Sequence, residues 1–257
     1  MVDTLSLEGK VAIITGSGRE TGIGAATAAL FARNGAAVTI NYLSEKSAPR
    51  AENVLKTIQD AGGKAIAVRA DVTTPEGVEK LVQETLKSFN TDKIDILVNN
   101  AGAVYGGPLL MKVTPEEIDA TFATAVRGPI LLMQATVPHM PRYGRIINVS
   151  SIASKFGFDG LALYGGGKAA MDAITFALGK AGKNITINTV APGYIETDIL
   201  APEIMEENGK RMLPHTRVEE RHGQPDDVAD VILLLVSEKS RWVTGQYIGV
   251  SGGVTGN

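Results

Sequence analysis

The stretch Lys10-Val11-Ala12-Ile13-Ile14-Thr15-Gly16-Ser17-Gly18-Arg19-Glu20-Thr21-Gly22-Ile23-Gly24 decides the reading of this chain. An apolar run of strand length ends in a glycine-rich turn, and an alanine-rich helix opens directly after it. Glycines admit positive φ and let a backbone approach a ligand closely. The first turn of the helix leaves N–H groups without partners and carries the positive end of the helix dipole. Such a turn is a cradle for phosphate, and its place after a first strand favours a dinucleotide over a bare βα connection.

The same alternation recurs along the chain. Short apolar runs at 10–15, 36–42, 65–68, 94–98, Arg145–Val149, 185–190 and Tyr247–Val250 read as seven strands. Helical stretches lie between them, among them 24–33, 49–61 and 75–89, and Thr114-Pro115-Glu116-Glu117 carries an N-cap, an early Pro and first-turn acids. Gly35 and Gly62 stand where helices should stop. Strands apolar on both faces that alternate with helices predict a parallel sheet covered on both sides. The expected fold is a doubly wound α/β Rossmann fold: one domain over 1–257, with a seven-stranded sheet flanked by helices. In such sheets ligands bind beyond the carboxyl ends of the strands.

Composition excludes several classes. The chain has 257 residues, with 25 Lys and Arg against 28 Asp and Glu, a formal charge of −3. That balance argues against a nucleic-acid binder. With no cysteine there is no disulfide, thiolate nucleophile or Cys-ligated zinc, and His139, His215 and His222 form no HxxxH pair, so no metal is expected. The N-terminus lacks the regions of a signal peptide, no run reaches about 18 apolar residues, and Val254-Thr255-Gly256-Asn257 matches no targeting signal. The expectation is a cytoplasmic protein without membrane partners.

The tip of the second strand addresses the cofactor. An acid there would bind the ribose 2′-hydroxyl of NAD. The residues are instead Asn41-Tyr42-Leu43-Ser44-Glu45-Lys46, and Arg19, Tyr42, Ser44 and Lys46 are candidates for holding a 2′-phosphate. NADP(H) is therefore expected over NAD(H).

With these elements in place the chain resembles the short-chain dehydrogenase/reductase superfamily over nearly its whole length. The resemblance rests on the glycine turn, Asp71-Val72 after the third strand, Asn99-Asn100-Ala101-Gly102 after the fourth, and Ser150-Ser151 after the fifth. Tyr164-Gly165-Gly166-Gly167-Lys168 fits YxxxK, and Pro192-Gly193-Tyr194-Ile195-Glu196-Thr197 follows the sixth strand. Pro225-Asp226-Asp227-Val228-Ala229 and Thr244-Gly245-Gln246 complete the series. Within the superfamily the chain is most similar to fungal-type NADP-dependent ketone reductases of secondary metabolism.

The resemblance implies a catalytic set of Ser151, Tyr164 and Lys168. Tyr164 would be the general acid for carbonyl reduction, or the base in reverse. Lys168, four residues on and so on the same helical face, would bind the nicotinamide ribose, and with the nicotinamide's charge favour the phenolate. Ser151 would hydrogen-bond the substrate carbonyl. The implied cofactor contacts are Gly16, Arg19, Gly22, Ile23, Tyr42, Ser44, Asp71, Val72, Asn100, Ala101, Gly102, Tyr164, Lys168, Pro192, Gly193, Ile195 and Thr197, with Ile195 and Thr197 at the carboxamide and pyrophosphate. The segment 198–218, with Met205, Met212, Leu213, Pro202 and Pro214, breaks the α/β rhythm and reads as a substrate lid. Tyr105, Phe156, Phe158 and Tyr194 are candidates for an apolar substrate pocket or for ordinary core.

Two departures stand out. Five residues, Ser17 to Thr21, separate Gly16 from Gly22, where the family normally has three. Ala125 stands where the family usually has an Asn that supports a proton-relay water, with Thr124 a weak substitute. Ala125 keeps an alternative open: a family-derived cyclase, isomerase or epimerase with little net redox turnover. A non-catalytic nucleotide sensor is a third reading, against which the intact Ser151-Tyr164-Lys168 set argues. The family also implies a homo-oligomer, tetramer or dimer. The apolar runs 130–133 and 171–176 suit subunit contact or core equally, and Trp242 is a further contact candidate.

Overall fold

The computed structural model describes residues 5–105, 110–158, 160–179, 184–199 and 202–255. Strands β1 (Val11–Ile14), β2 (Ala37–Tyr42), β3 (Lys64–Arg69), β4 (Ile96–Asn99), β5 (Arg145–Val149), β6 (Thr186–Pro192) and β7 (Tyr247–Val250) form one sheet. Their order is β3-β2-β1-β4-β5-β6-β7, and every pairing is parallel. The seven strands and their parallel arrangement are those the sequence predicts, with ends moved by up to two residues.

Side chains alternate across the sheet, and this alternation divides the core in two. Ala12, Ile14, Ile96, Val98, Ile147 and Val190 point to one face. There they meet Ala28 and Phe31 of α1 (Ile23–Arg33), Val54 and Ile58 of α2 (Ala48–Asp60), and Val228 and Ile232 of α8 (Pro225–Val236). Ile13, Leu97, Ile146 and Ile187 point to the other face. They meet Val78, Leu81 and Val82 of α3 (Pro75–Ser88), Leu132 and Met133 of α5 (Gly128–Thr136), and Met171 of α6 (Ala162–Leu178). A one-residue slip in any strand would exchange its two sets, so the register is fixed by both cores at once.

Local chemistry sets the helix starts. Thr74 accepts from Gly77 N–H ahead of Pro75 at the head of α3. Thr114 and Glu117 close a capping box at α4 (Pro115–Phe122), and Gln224 and Asp227 do the same at α8. α4 leads through a π-helical turn, Ala123–Arg127, into α5.

The segment 198–218 is more regular than its sequence suggests. It contains the helix α7 (Pro202–Met212) and a short 3-10 turn, Leu213–His215. Residues 200 and 201 and the side chain of Met205 lie outside the described residues. Of the apolar runs, Leu132 and Met133 are core, and Ile130 and Leu131 pack against it. On α6, Met171 is buried but Phe176 is 74% exposed, and Trp242 is 96% exposed.

Candidate active site

The strand order reverses between β1 and β4, and the two turns that leave those strands are locked together. Thr15 Oγ1 accepts from the backbone N–H groups of Asn100 and Ala101, each at 3.0 Å. Asn100 Nδ2 donates back to the carbonyls of Thr15 (2.8 Å) and Gly16 (3.2 Å). Gly16 has φ +62°, and a Cβ on it would stand 2.7 Å from Ala101 Cα, so only glycine permits this approach. Asn41, buried at the end of β2, holds Gly16 N–H through Oδ1 at 3.2 Å and the Ala70 carbonyl through Nδ2 at 3.0 Å. It is thus a scaffold residue of the turn.

These turns open onto a cleft of about 930 Å³ at the carboxyl ends of the strands. That is the upper part of the range for ligand sites, roughly 300–1,000 Å³. Every catalytic and cofactor-contact residue selected from the sequence lines this one cleft. Lys46 does not; it lies on the exposed turn beyond Ser44. Glu45 turns away from the cleft to pair with Arg69, which leaves the adenosine end without a facing acid from β2. The helix α1 starts at Gly22 with no side-chain cap and no first-turn acid, as a helix that receives phosphate should. The residues therefore fit a nicotinamide dinucleotide: Gly22 and Ile23 would take the pyrophosphate, Arg19, Tyr42 and Ser44 the adenosine end, and Lys168 the nicotinamide ribose.

The chemistry end is built by the close approach of α6 to the turn after β5. Gly165 lies against the Ala153 carbonyl oxygen, where any Cβ would collide. This contact sets Tyr164 and Lys168 beside Ser151, whose Oγ accepts from Ala153 N–H at 3.1 Å. Lys168 is 6% exposed, donates to the Val149 carbonyl at 2.8 Å, and sits 5.7 Å from the Tyr164 ring centre. Burial pulls its ammonium down to about 8, against an opposing pull from Asp172. Burial pushes the Tyr164 phenol up, and the neighbouring Ser151 hydroxyl only partly offsets this. Burial thus favours the protonated phenol in the cofactor-free site; the phenolate expected from the sequence also depends on the charge of the nicotinamide.

Around this centre Tyr105, Phe156, Phe158 and Tyr194 all face the cleft. Phe158 packs on Phe156 at 4.7 Å and edge-on to Tyr194 at 6.0 Å. From α7, Met212 and Arg211 reach the cleft, whereas Leu213 and Pro214 line a second cavity of about 1230 Å³ beyond Asp198. Thr124 faces the cleft. Ala125 faces α6, and a Cβ on Gly167 would lie 3.1 Å from its own.

Asp172 was not singled out from the sequence, although its place four residues beyond Lys168 puts it on the same helical face. Both its carboxylate oxygens are buried, and the Ser150 and Ser154 hydroxyls approach without completing hydrogen-bond geometry. Burial pushes its carboxyl up, against the pull of Ser154, Ser150, Lys168 and Lys155. Asp198 was seen only as the edge of the lid; it pairs with Arg19 at 3.8 Å and also with Arg50. Among the described residues no cluster of potential metal ligands occurs, and no helix is long and apolar enough to cross a membrane.

A dinucleotide-shaped cleft at the switch point, with Ser, Tyr and Lys at its inner end, defines a nicotinamide-dependent oxidoreductase of the doubly wound class. The chain belongs to the short-chain dehydrogenase/reductase family and is an NAD(P)-dependent enzyme of that family. The matching family model, described as enoyl-(acyl carrier protein) reductase, covers residues 16–255. Versicolorin reductase 1 of Aspergillus parasiticus is 40% identical, over 98% of this chain and 99% of that protein. A reductase that catalyses keto-reduction at C1 during lugdunomycin biosynthesis superposes with a TM-score of 0.87 at 37% identity, covering 96% of this chain and 98% of the other. A short-chain dehydrogenase from Burkholderia cenocepacia, solved with NADP, gives 0.86 at 35% identity, covering 96% and 98%.

Proposed function

We propose that this enzyme reduces a ketone with NADPH, or oxidises the corresponding secondary alcohol, with Tyr164 as general acid or base. The observation that carries the reading is the convergence of Ser151, Tyr164 and Lys168 at the inner end of a cleft whose outer end presents Arg19 and Ser44 and no acid from β2.

The bound nicotinamide supplies or accepts the hydride. Ser151 Oγ–H donates to the substrate carbonyl oxygen and stabilises its developing charge. Tyr164 delivers the proton to that oxygen; its raised pKa keeps it protonated at neutral pH, which is the form an acid needs. Lys168, anchored on the Val149 carbonyl, binds the ribose hydroxyls and biases Tyr164 toward release of the proton. Phe156, Phe158 and Tyr194 give the substrate an apolar, aromatic wall, and Ile199, Arg211 and Met212 line the cleft beside it. A preference for NADPH is supported by the Burkholderia cenocepacia neighbour solved with NADP and by Arg19 at the outer end of the cleft.

The test is a fluorescence titration with NADPH and, in parallel, NADH, followed by turnover of aromatic ketones. Selective NADPH binding with ketone-dependent oxidation is expected; equal or weaker binding of NADPH rejects the cofactor choice.

Ala125 supports a second reading, in which the enzyme is a cyclase, isomerase or epimerase with little net redox turnover. Alanine offers no side-chain group that could hold a relay water, and Thr124 of that turn lines the cleft wall. If the relay limits reduction, Ala125→Asn raises kcat; an unchanged kcat rejects a limiting relay.

A further inference from the structure

We propose that Asp198, Arg50 and Glu20 are positioning residues that clasp the lengthened glycine turn across the cofactor cleft and slow release of the bound dinucleotide. The proposal rests on the cofactor reading above.

Arg19 and Asp198 both line the cleft, one from the turn after β1 and the other from the segment after β6. Their side chains meet at 3.8 Å. Arg50, in the first turn of α2, grips the same Asp198 carboxylate through Nη1. Its Nε donates to Glu20 at 2.6 Å, and Asn53 donates to the other Glu20 oxygen at 3.1 Å. One carboxylate from the substrate side thus receives two guanidinium groups from the cofactor side. Glu20 fixes the geometry of one of them. It belongs to the five residues between Gly16 and Gly22, so the extra length of the turn supplies the second arm of the clasp.

The contact joins residues 148 apart in sequence. A dinucleotide held by Gly22 and Lys168 would lie in the cleft that Arg19 and Asp198 line, and its release would need their contact to open. The pairs are weak by design of their surroundings: their side chains are 35–51% exposed. Exposed pairs contribute modestly and are screened by salt. A clasp of this strength slows release without preventing it. It also gives Asp198 a role separate from the reaction, since it faces Arg19 and Arg50 rather than Tyr164.

The experiment is stopped-flow dissociation of NADPH, chased with excess NADP⁺ and followed by nicotinamide fluorescence. It compares wild type, Arg50→Gln, Asp198→Asn and the double variant, each with its thermal midpoint. Each single variant should release NADPH about 3- to 10-fold faster, and the double variant no faster than the faster single. Glu20→Gln, which leaves Asp198 and both arginines in place, should give a smaller acceleration. Wild type should lose the same factor as salt is raised to about 1 M. Release rates in both single variants within about 1.5-fold of wild type, or fully additive effects in the double variant, overturn the clasp. A wild-type protein that binds no NADPH overturns the cofactor reading and the clasp together, whereas tight binding with unaltered variants overturns the clasp alone.

Discussion

Lys168→Met should change how the stability of the cofactor-free protein responds to pH. Burial holds the Lys168 ammonium at about 8, against an ordinary 10.5. Between those values the unfolded chain keeps a proton that the native state has released. Stability therefore rises with pH across that window, and the cost of burying the charge is fully present below it. Integrating the two-pKa linkage for this one group gives a gain on the order of 2–3 kcal/mol between about pH 7 and pH 10. The assay is urea unfolding by circular dichroism at intervals across that range, with both proteins in the same buffers. Subtracting the variant from wild type cancels the tyrosines and surface lysines that both share. The difference should climb by about 2–3 kcal/mol in favour of wild type. A difference flat to within about 0.5 kcal/mol would refute the buried, depressed ammonium.

Other consequences follow from the same geometry. Tyr164→Phe should lower kcat by about 10²- to 10⁴-fold, since the lost group is the proton donor; full turnover in that variant removes Tyr164 from the mechanism. Gly165→Ala would force α6 away from the Ala153 carbonyl. The expected cost is about 1–3 kcal/mol of stability, with kcat falling because Tyr164 and Ser151 separate; a normal kcat and thermal midpoint would show that the close approach does not set the site. Phe176 and Trp242, 74% and 96% exposed, favour assembly of several copies. Sedimentation should show a dimer or tetramer, and a 27.0 kDa species alone at micromolar concentration would end that reading.

The sequence by itself determined the architecture. Strands such as 145–149 and 185–190 are apolar on both faces, which is a demand for helices above and below, and glycine at 16 and 22 marked the turn between β1 and α1. The candidate site residues were named through a resemblance carried by motifs at strand ends and along one helix, Ser151, Tyr164 and Lys168 among them, so order along the chain stood in for the proximity the cleft shows. Only the tertiary structure decided what lies between them. The direction of the Tyr164 shift depends on desolvation, which no spacing reports. The partnerless carboxylate of Asp172 becomes notable only when α6 packs over the Ser150–Ser154 turn. Arg50, Glu20 and Asp198 meet because β1, β2 and β6 bring their turns to one end of a twisted sheet, and a contact across 148 residues leaves no periodic trace in the chain. Local pattern records what each segment needs to bury; charge, solvent access and long-range pairing exist only once the segments are assembled.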